Sequence, residues 1–389
     1  MFPIDKFKNL RTPFYYYDTR LLRETLRIIN AEVHPSPLSP LTPHPWEVHY
    51  AVKANANPAL LRIISQEGFG ADCVSGGEIE AALKAGFPPS KIVYAGVGKA
   101  DWEINLALQN DIFCFNVESL AELEVINQLA AAQGKVARIA LRINPDVGAH
   151  THANITTGLA ENKFGIAMSD MLPAIEQSRH MSSVQLEGLH FHIGSQILDM
   201  GDFKALCNRA GDLLQQLQRH RIAVRHINVG GGLGISYTHP DRQHMADFHS
   251  YFRTFARHLH LQSGQTLHFE LGRAVVAQCG TLVSRVLYVK QGTRKQFAIL
   301  DAGMTELIRP ALYQASHRIQ NLTSQEPVET YDVVGPICES SDVFGKAIDL
   351  NRCRRGDLIA IRSAGAYGQS MASQYNCRPL PKAYLTEEL

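Results

Sequence analysis

Eight short apolar runs, separated by amphipathic stretches, constrain this chain more than any other feature. The runs fall at residues 49–53, 70–74, 91–95, 111–117, 137–144, 186–193, 226–230 and 267–271. Each is mostly apolar, as a strand buried on both faces must be. Most of the gaps place apolar residues at helical spacing, among them 58–67, 76–86, 101–109, 118–132, 202–219 and 245–261. Strand and helix taken in turn require parallel neighbours joined by crossover helices. Eight such units close into a (β/α)8 TIM barrel, an α/β fold. An open doubly wound sheet is the competing solution, but it carries its glycine-rich turn after the first strand. Here the first run ends in Lys53, and the glycine-rich turn, Gly230 to Gly234, follows the seventh.

After residue 273 the pattern changes to β-like runs at 275–289, 296–301, 330–334 and 357–362. This predicts a second, all-β C-terminal domain. The β-prone TPFYYY at 12–17 is expected to join it, and Asp18 suits the N-cap of a helix over 19–31. The expected organisation is an N-terminal segment, 1–25, that joins the β domain, a barrel over 26–273 and a β domain over 274–389. Two stretches break the alternation. PSPLSPLTPHP at 35–45 reads as a solvated extended insertion. Residues 145–167 have no clean period and follow the fifth strand, where a loop is expected to cover substrate.

The net charge is +1, with no basic stripe, so neither nucleic acid nor an anionic membrane is an expected partner. No apolar run reaches membrane-spanning length, and the first residues, MFPIDKFKNLRTP, lack the apolar stretch of a signal peptide. A cytoplasmic protein is expected. The seven cysteines are scattered with no C-x-x-C spacing, which argues against disulfides and structural zinc.

Ligands bind at the carboxyl ends of barrel strands. A lysine in a strand-to-helix turn is ordinarily a solvated residue, so the other strand ends must decide what Lys53 does. His190 and His192 lie on one face of the sixth run, with His192 nearer the carboxyl end. No third metal ligand stands near them, and no metal is expected. Gly194-Ser195-Gln196 follows directly. Gly231 and Gly232 lie in the turn after the seventh run, and Gly272-Arg273 closes the eighth. Glycines admit backbone N–H groups close to a phosphate, and an arginine grips it. Glu270, beside such a site, is better explained as the partner of a cationic ring nitrogen. Lysine, stacking histidine, phosphate loop and carboxylate together describe a site for pyridoxal 5′-phosphate (PLP), with Lys53 as the covalent attachment.

The segments YAVKAN (50–55), GADCVSGGE (70–78), LRINPDV (141–147), NKFGI (162–166), HFHIGSQ (190–196), NVGGGLG (228–234), ELGR (270–273), RPALY (309–313), GPICES (335–340) and GAYG (365–368) run in one order along nearly the whole chain. In these the chain resembles the fold-type III PLP-dependent decarboxylases. The resemblance implies that Lys53 carries PLP, that His192 stacks on its ring and that Glu270 pairs with the ring nitrogen. It implies that Ser195, Gly231, Gly232, Gly272 and Arg273 surround the phosphate, and that Arg273, Arg309, Tyr313, Glu339 and Tyr367 hold substrate. It further implies a homodimer, in which Cys338 and Glu339 reach the partner's active site and Cys338 donates a proton. The expected reaction is decarboxylation of meso-2,6-diaminopimelate to L-lysine and CO2. The alternatives are another basic amino acid or polyamine precursor (ornithine, arginine, carboxynorspermidine), a racemase, or a non-catalytic PLP-binding homologue. Leu271, Val97 and Ser341 depart from the family's usual proline, asparagine and glycine.

Overall fold

The computed structural model describes residues 2–34, 45–148 and 163–389. The proline-rich insertion, apart from Pro45, and most of the 145–167 loop lie outside the described residues. The chain divides into two compact units. One comprises Met1–Thr25, Ile235–Ala246 and Arg273–Leu389, and the other comprises Leu26–Gly234 and Asp247–Gly272.

After a first strand, β1 (Phe14–Tyr17), and a helix at Thr19–Val33, the chain enters the barrel. Its strands are β2 (Trp46–Ala51), β3 (Gly70–Cys73), β4 (Ile92–Tyr94), β5 (Cys114–Val117), β6 (Ala137–Arg142), β7 (Val184–His190), β8 (His226–Asn228) and β9 (Thr266–Leu271). All eight pair in parallel, and β9 closes on β2 with Glu270 opposite His49. Several of the helices between them start where the sequence supplies a cap. Asn57 accepts the N–H of Ala59 ahead of Pro58, Ser75 accepts that of Glu78, and Ser119 accepts that of Glu122. The barrel lumen is filled. Val93, Cys114 and Ala140 form one cluster, and Phe113 packs against the rings of His49, His226 and His268.

The first barrel strand starts and ends earlier than the 49–53 expected, at Trp46 and Ala51. Lys53 sits in a 3-10 turn, Val52–Ala54, so strand alternation does not set its direction. The strand ends where this turn begins, and the turn is closed by the Asn55 N–H, which donates to the Val52 carbonyl at 3.0 Å.

In the second unit, β10 (Gly280–Gln291), β11 (Gln296–Leu300), β12 (Ile319–Asn321), β13 (Val328–Val334), β14 (Val343–Asn351), β15 (Leu358–Ile361) and β16 (Lys382–Leu385) form a sheet with β1. β1 lies between β10 and β16, and its Phe14 is opposite Val283 and Lys382. The β run expected from residue 275 starts later: Arg273–Val276 form a short helix, and β10 begins only at Gly280. β12, β14 and β16 were not foreseen. β14 carries Lys346 and Asp349 among its residues and is mostly uncovered, so it has no apolar run to read.

Two placements differ from the sequence expectation, and one is Arg273, which groups with the sheet unit rather than the barrel. Residues 235–246, placed in the barrel by pattern, group with the sheet unit. Their partners explain this. The N–H of Arg318 donates to the Tyr237 carbonyl at 3.0 Å, and Arg362 pairs with Asp241 at 3.0 Å. No described helix is long and apolar enough to cross a membrane.

Candidate active site

The predicted residues come together in two groups, one in each unit. In the barrel they gather where the strands end. Lys53 follows β2, and its Nζ lies 3.6 Å from Oδ2 of Asp72 on β3. Asp72 is buried, and neither of its oxygens accepts a hydrogen bond. Burial raises its carboxyl far above the usual range, the charge of Glu270 adds to this, and Lys53 only partly opposes it.

Glu270 is its opposite. Burial alone would raise its carboxyl too, but His190, His192 and Lys53 outweigh that and hold it well below the ordinary value. Its hydrogen bonds show how. Oε1 accepts from Asn116 Nδ2 at 3.1 Å and from Asn228 Nδ2 at 2.7 Å. His190 Nε2 lies 3.0 Å from Oε2. These donors come from β5, β8 and β7, so the barrel itself holds the carboxylate. A carboxylate offers about four acceptor positions. Three are occupied here, which leaves one on Oε2 for an external N–H donor.

His192 lies two residues beyond the end of β7, and its Nδ1 accepts the N–H of Gly231 at 3.3 Å. That fixes the ring hydrogen on Nε2. Burial, Arg142 and Lys53 press its pKa well below the usual value, so the ring is neutral. The glycine turn is built for close approach. A Cβ on Gly231 would stand 1.8 Å from the Glu270 carbonyl oxygen, and Gly230 and Gly232 adopt φ of +68° and +108°. The turn carrying Ser195 is tied to it, since Ile197 N–H donates to Gly232 O and Gly234 N–H to Ile197 O, both at 2.9 Å. Gly272 packs against the lysine turn, where a Cβ would lie 3.0 Å from those of Ala51 and Ala54.

A second ring of carboxylates staples the loops around these groups. Glu118 Oε1 accepts from Arg142 Nη1 and from Gly96 N–H, both at 2.9 Å, and Oε2 accepts from Gly165 N–H at 3.2 Å. Lys99, buried, donates to the Gly96 and Asn116 carbonyls and to Glu122. Lys99 is thus a loop anchor, and nearby Val97 is exposed.

In the sheet unit, Arg273 and Arg309 are buried around one aromatic ring. Arg273 Nη1 donates to Tyr237 Oη at 2.7 Å, and the Arg309 guanidinium lies 4.6 Å from the Tyr237 ring centre. Tyr367 covers Arg273 at 4.8 Å and holds a left-handed φ of +55°, a conformation unusual for an aromatic residue. Tyr313 closes the short helix Arg309–Tyr313. Cys338 and Glu339 are exposed and make their contacts with the 375–376 turn. Tyr375 Oη donates to Glu339 at 2.8 Å, and the Cys338 N–H donates to Asn376 Oδ1 at 3.4 Å.

Sequence reasoning missed Asp72, Asn116, Asn228, Tyr237 and His317, and ranked His190 below His192. The signal for the asparagines was present, since each is a polar residue near the carboxyl end of a mostly apolar run. The histidine pair divides its work: His190 holds Glu270, while His192 meets the glycine turn.

This set fits PLP. A lysine stands at a strand end, a carboxylate with three donors keeps one acceptor position open, and a glycine turn has no room for side chains. A profile of the family described as "Pyridoxal-dependent decarboxylase, pyridoxal binding domain" matches residues 37–277. The diaminopimelate decarboxylase of Bacteroides thetaiotaomicron is 70% identical over 389 residues, covering 100% of this chain and 99% of that protein. That of Helicobacter pylori is 40% identical over 375 residues, or 96% of this chain and 90% of that protein. A crystal structure of the Helicobacter pylori diaminopimelate decarboxylase complexed with L-lysine superposes with a TM-score of 0.92 at 38% identity, covering 99% of this chain and 94% of that one. Barrel, family profile and full-length likeness agree: the chain belongs to the pyridoxal-dependent decarboxylases, among the diaminopimelate decarboxylases.

Proposed function

We propose that the protein is a PLP-dependent carboxy-lyase that converts meso-2,6-diaminopimelate to L-lysine and CO2, the last step of lysine biosynthesis. The full-length 70% identity to a diaminopimelate decarboxylase carries this reading. When bound, PLP supplies an electron sink for the pair left behind as CO2 departs. Lys53, His192, Ser195, Gly231, Gly232, Glu270, Gly272 and Arg273 are the residues assigned to hold it. Glu270 stays ionised because three donors satisfy it before any ligand arrives, so it favours a protonated nitrogen at its remaining acceptor position. Asp72 offers Lys53 Nζ a carboxyl of raised pKa 3.6 Å away, able to exchange a proton with the amine.

The substrate's far end carries an ammonium and a carboxylate. Arg273, Arg309, Tyr313 and Tyr367 are assigned to the carboxylate and Glu339 to the ammonium. Among the described residues Arg309 has no carboxylate within ion-pair distance, and its buried Nε has no hydrogen-bond partner. That favours a substrate with a distal carboxylate over ornithine. Cys338 Sγ is assigned as the proton donor to Cα. The exposure of Cys338 and Glu339 supports their delivery to the partner subunit of a homodimer. The absence of a membrane-crossing helix among the described residues is compatible with action in the cytoplasm.

The test offers the PLP-loaded protein meso-diaminopimelate, ornithine, arginine and carboxynorspermidine and measures CO2 and products. Diaminopimelate alone should give CO2, with L-lysine in equal amount. Turnover of another substrate instead would refute the assignment. Lys53→Ala should remove the absorbance band of lysine-attached cofactor. An unchanged band would exclude Lys53 as the attachment.

A further inference from the structure

Arg309 is held by a neutral group where a buried arginine would ordinarily be met by a carboxylate. Its Nη1 donates to His317 Nε2 at 2.8 Å, and His317 Nδ1 in turn meets the Arg362 carbonyl at 2.9 Å. An arginine only donates and a backbone carbonyl only accepts. His317 must therefore present a lone pair on Nε2 and a hydrogen on Nδ1, so both ends of the ring demand the neutral form. Burial and the adjacent Arg309 push its pKa down to about 3, so that form persists at any physiological pH. The Tyr237 ring completes the mount, edge to face with His317 at 4.9 Å and beneath the Arg309 guanidinium. Each of these contacts orients Arg309, and none of them cancels its charge.

We propose that His317 is a specificity-positioning residue, a neutral acceptor that fixes Arg309 while leaving its charge for the carboxylate of the substrate. This rests on the assignment of Arg309 to that carboxylate. A glutamate in place of His317 would orient the guanidinium just as well, but as a counter-ion it would occupy the charge that the substrate needs.

The experiment uses the PLP-loaded protein and two inhibitors: L-lysine, and cadaverine, which is the same molecule without its carboxylate. Cofactor absorbance and melting temperature establish that each variant is folded and loaded. His317→Gln can accept from Arg309 and donate to the Arg362 carbonyl, and should keep the L-lysine inhibition constant within about threefold. His317→Glu should raise it about tenfold or more, while the cadaverine constant stays within about threefold. Should the glutamate variant not fold, His317→Leu, which removes the acceptor, should show the same selective loss for L-lysine. Equal L-lysine binding by the glutamine, glutamate and leucine variants overturns the proposal, as does a parallel loss of cadaverine binding, which would mark a merely structural role. Arg309→Gln separates the two levels. If it weakens L-lysine binding but the His317 variants do not, only the role of His317 falls. If it leaves L-lysine binding unchanged, the carboxylate assignment falls with it.

Discussion

Asp72 and Glu270 are two buried carboxylates in one barrel mouth with opposite acid–base behaviour, and the difference lies in their donors. Glu270 has three hydrogen-bond partners, whereas Asp72 accepts no hydrogen bond and has Lys53 Nζ at 3.6 Å. Asn228→Leu or Asn116→Leu would leave one acceptor position of a buried charge unsatisfied, at a cost of about 1–3 kcal/mol. Glu270 has a lowered folded-state pKa, so its stabilisation is present above the unfolded carboxylate pKa and is lost as pH falls through the folded one. The variants' deficit in urea unfolding of the cofactor-free protein should therefore be full at pH 7 and shrink as pH falls below about 4. Asp72 has the reverse sign. Its folded pKa is raised to about 7, so its contribution is favourable below the unfolded value and is lost as pH climbs through 7. Asp72→Asn should match the parent at pH 4 and exceed it in stability at pH 8. A parent more stable than the variant at pH 8 would contradict this. These partnerships were only half legible in sequence. Glu270 stood out as a carboxylate among glycines, but its asparagine and histidine partners lie 154, 42 and 80 residues away along the chain, so no local pattern could join them.

At the scale of elements, the glycine turn after β8 is the tightest joint in the barrel. Gly231→Ala would drive a methyl group into the Glu270 carbonyl, whose nearest relief is separation of β8 from β9. Overpacking of this kind costs about 1–3 kcal/mol or more. A lower melting temperature should accompany weaker PLP retention on dialysis, because the same joint carries Glu270. Normal retention with a lower melting temperature would separate the two roles. The barrel strands were legible because burial on both faces makes each an apolar run, and their helices because the gaps carry apolar residues at helical spacing. β12, β14 and β16 were not. A short or largely uncovered strand owes its place to the neighbour it pairs with, and β16 exists as a strand by pairing with β1, from the opposite end of the chain.

For the whole molecule, the strongest consequence is assembly. If Cys338 and Glu339 serve the partner's barrel, a Lys53→Ala chain and a Cys338→Ala chain, each inactive alone, should complement when mixed. Random exchange of equal amounts makes half the dimers mixed, each with one intact site, so about one quarter of parent activity should return. No recovery after verified subunit exchange would place Cys338 in its own chain's site. The sequence by itself determined the barrel, its strand count and the cofactor, because strand burial and the turns at strand ends are encoded within a few neighbouring residues. Only the tertiary structure decided that Lys53 stands in a 3-10 turn, that residues 235–246 join the sheet unit, that Asn116, Asn228 and His190 hold Glu270, and that a neutral His317 holds Arg309. Those outcomes depend on which side chains meet across the fold, and on the charge left over once they have met.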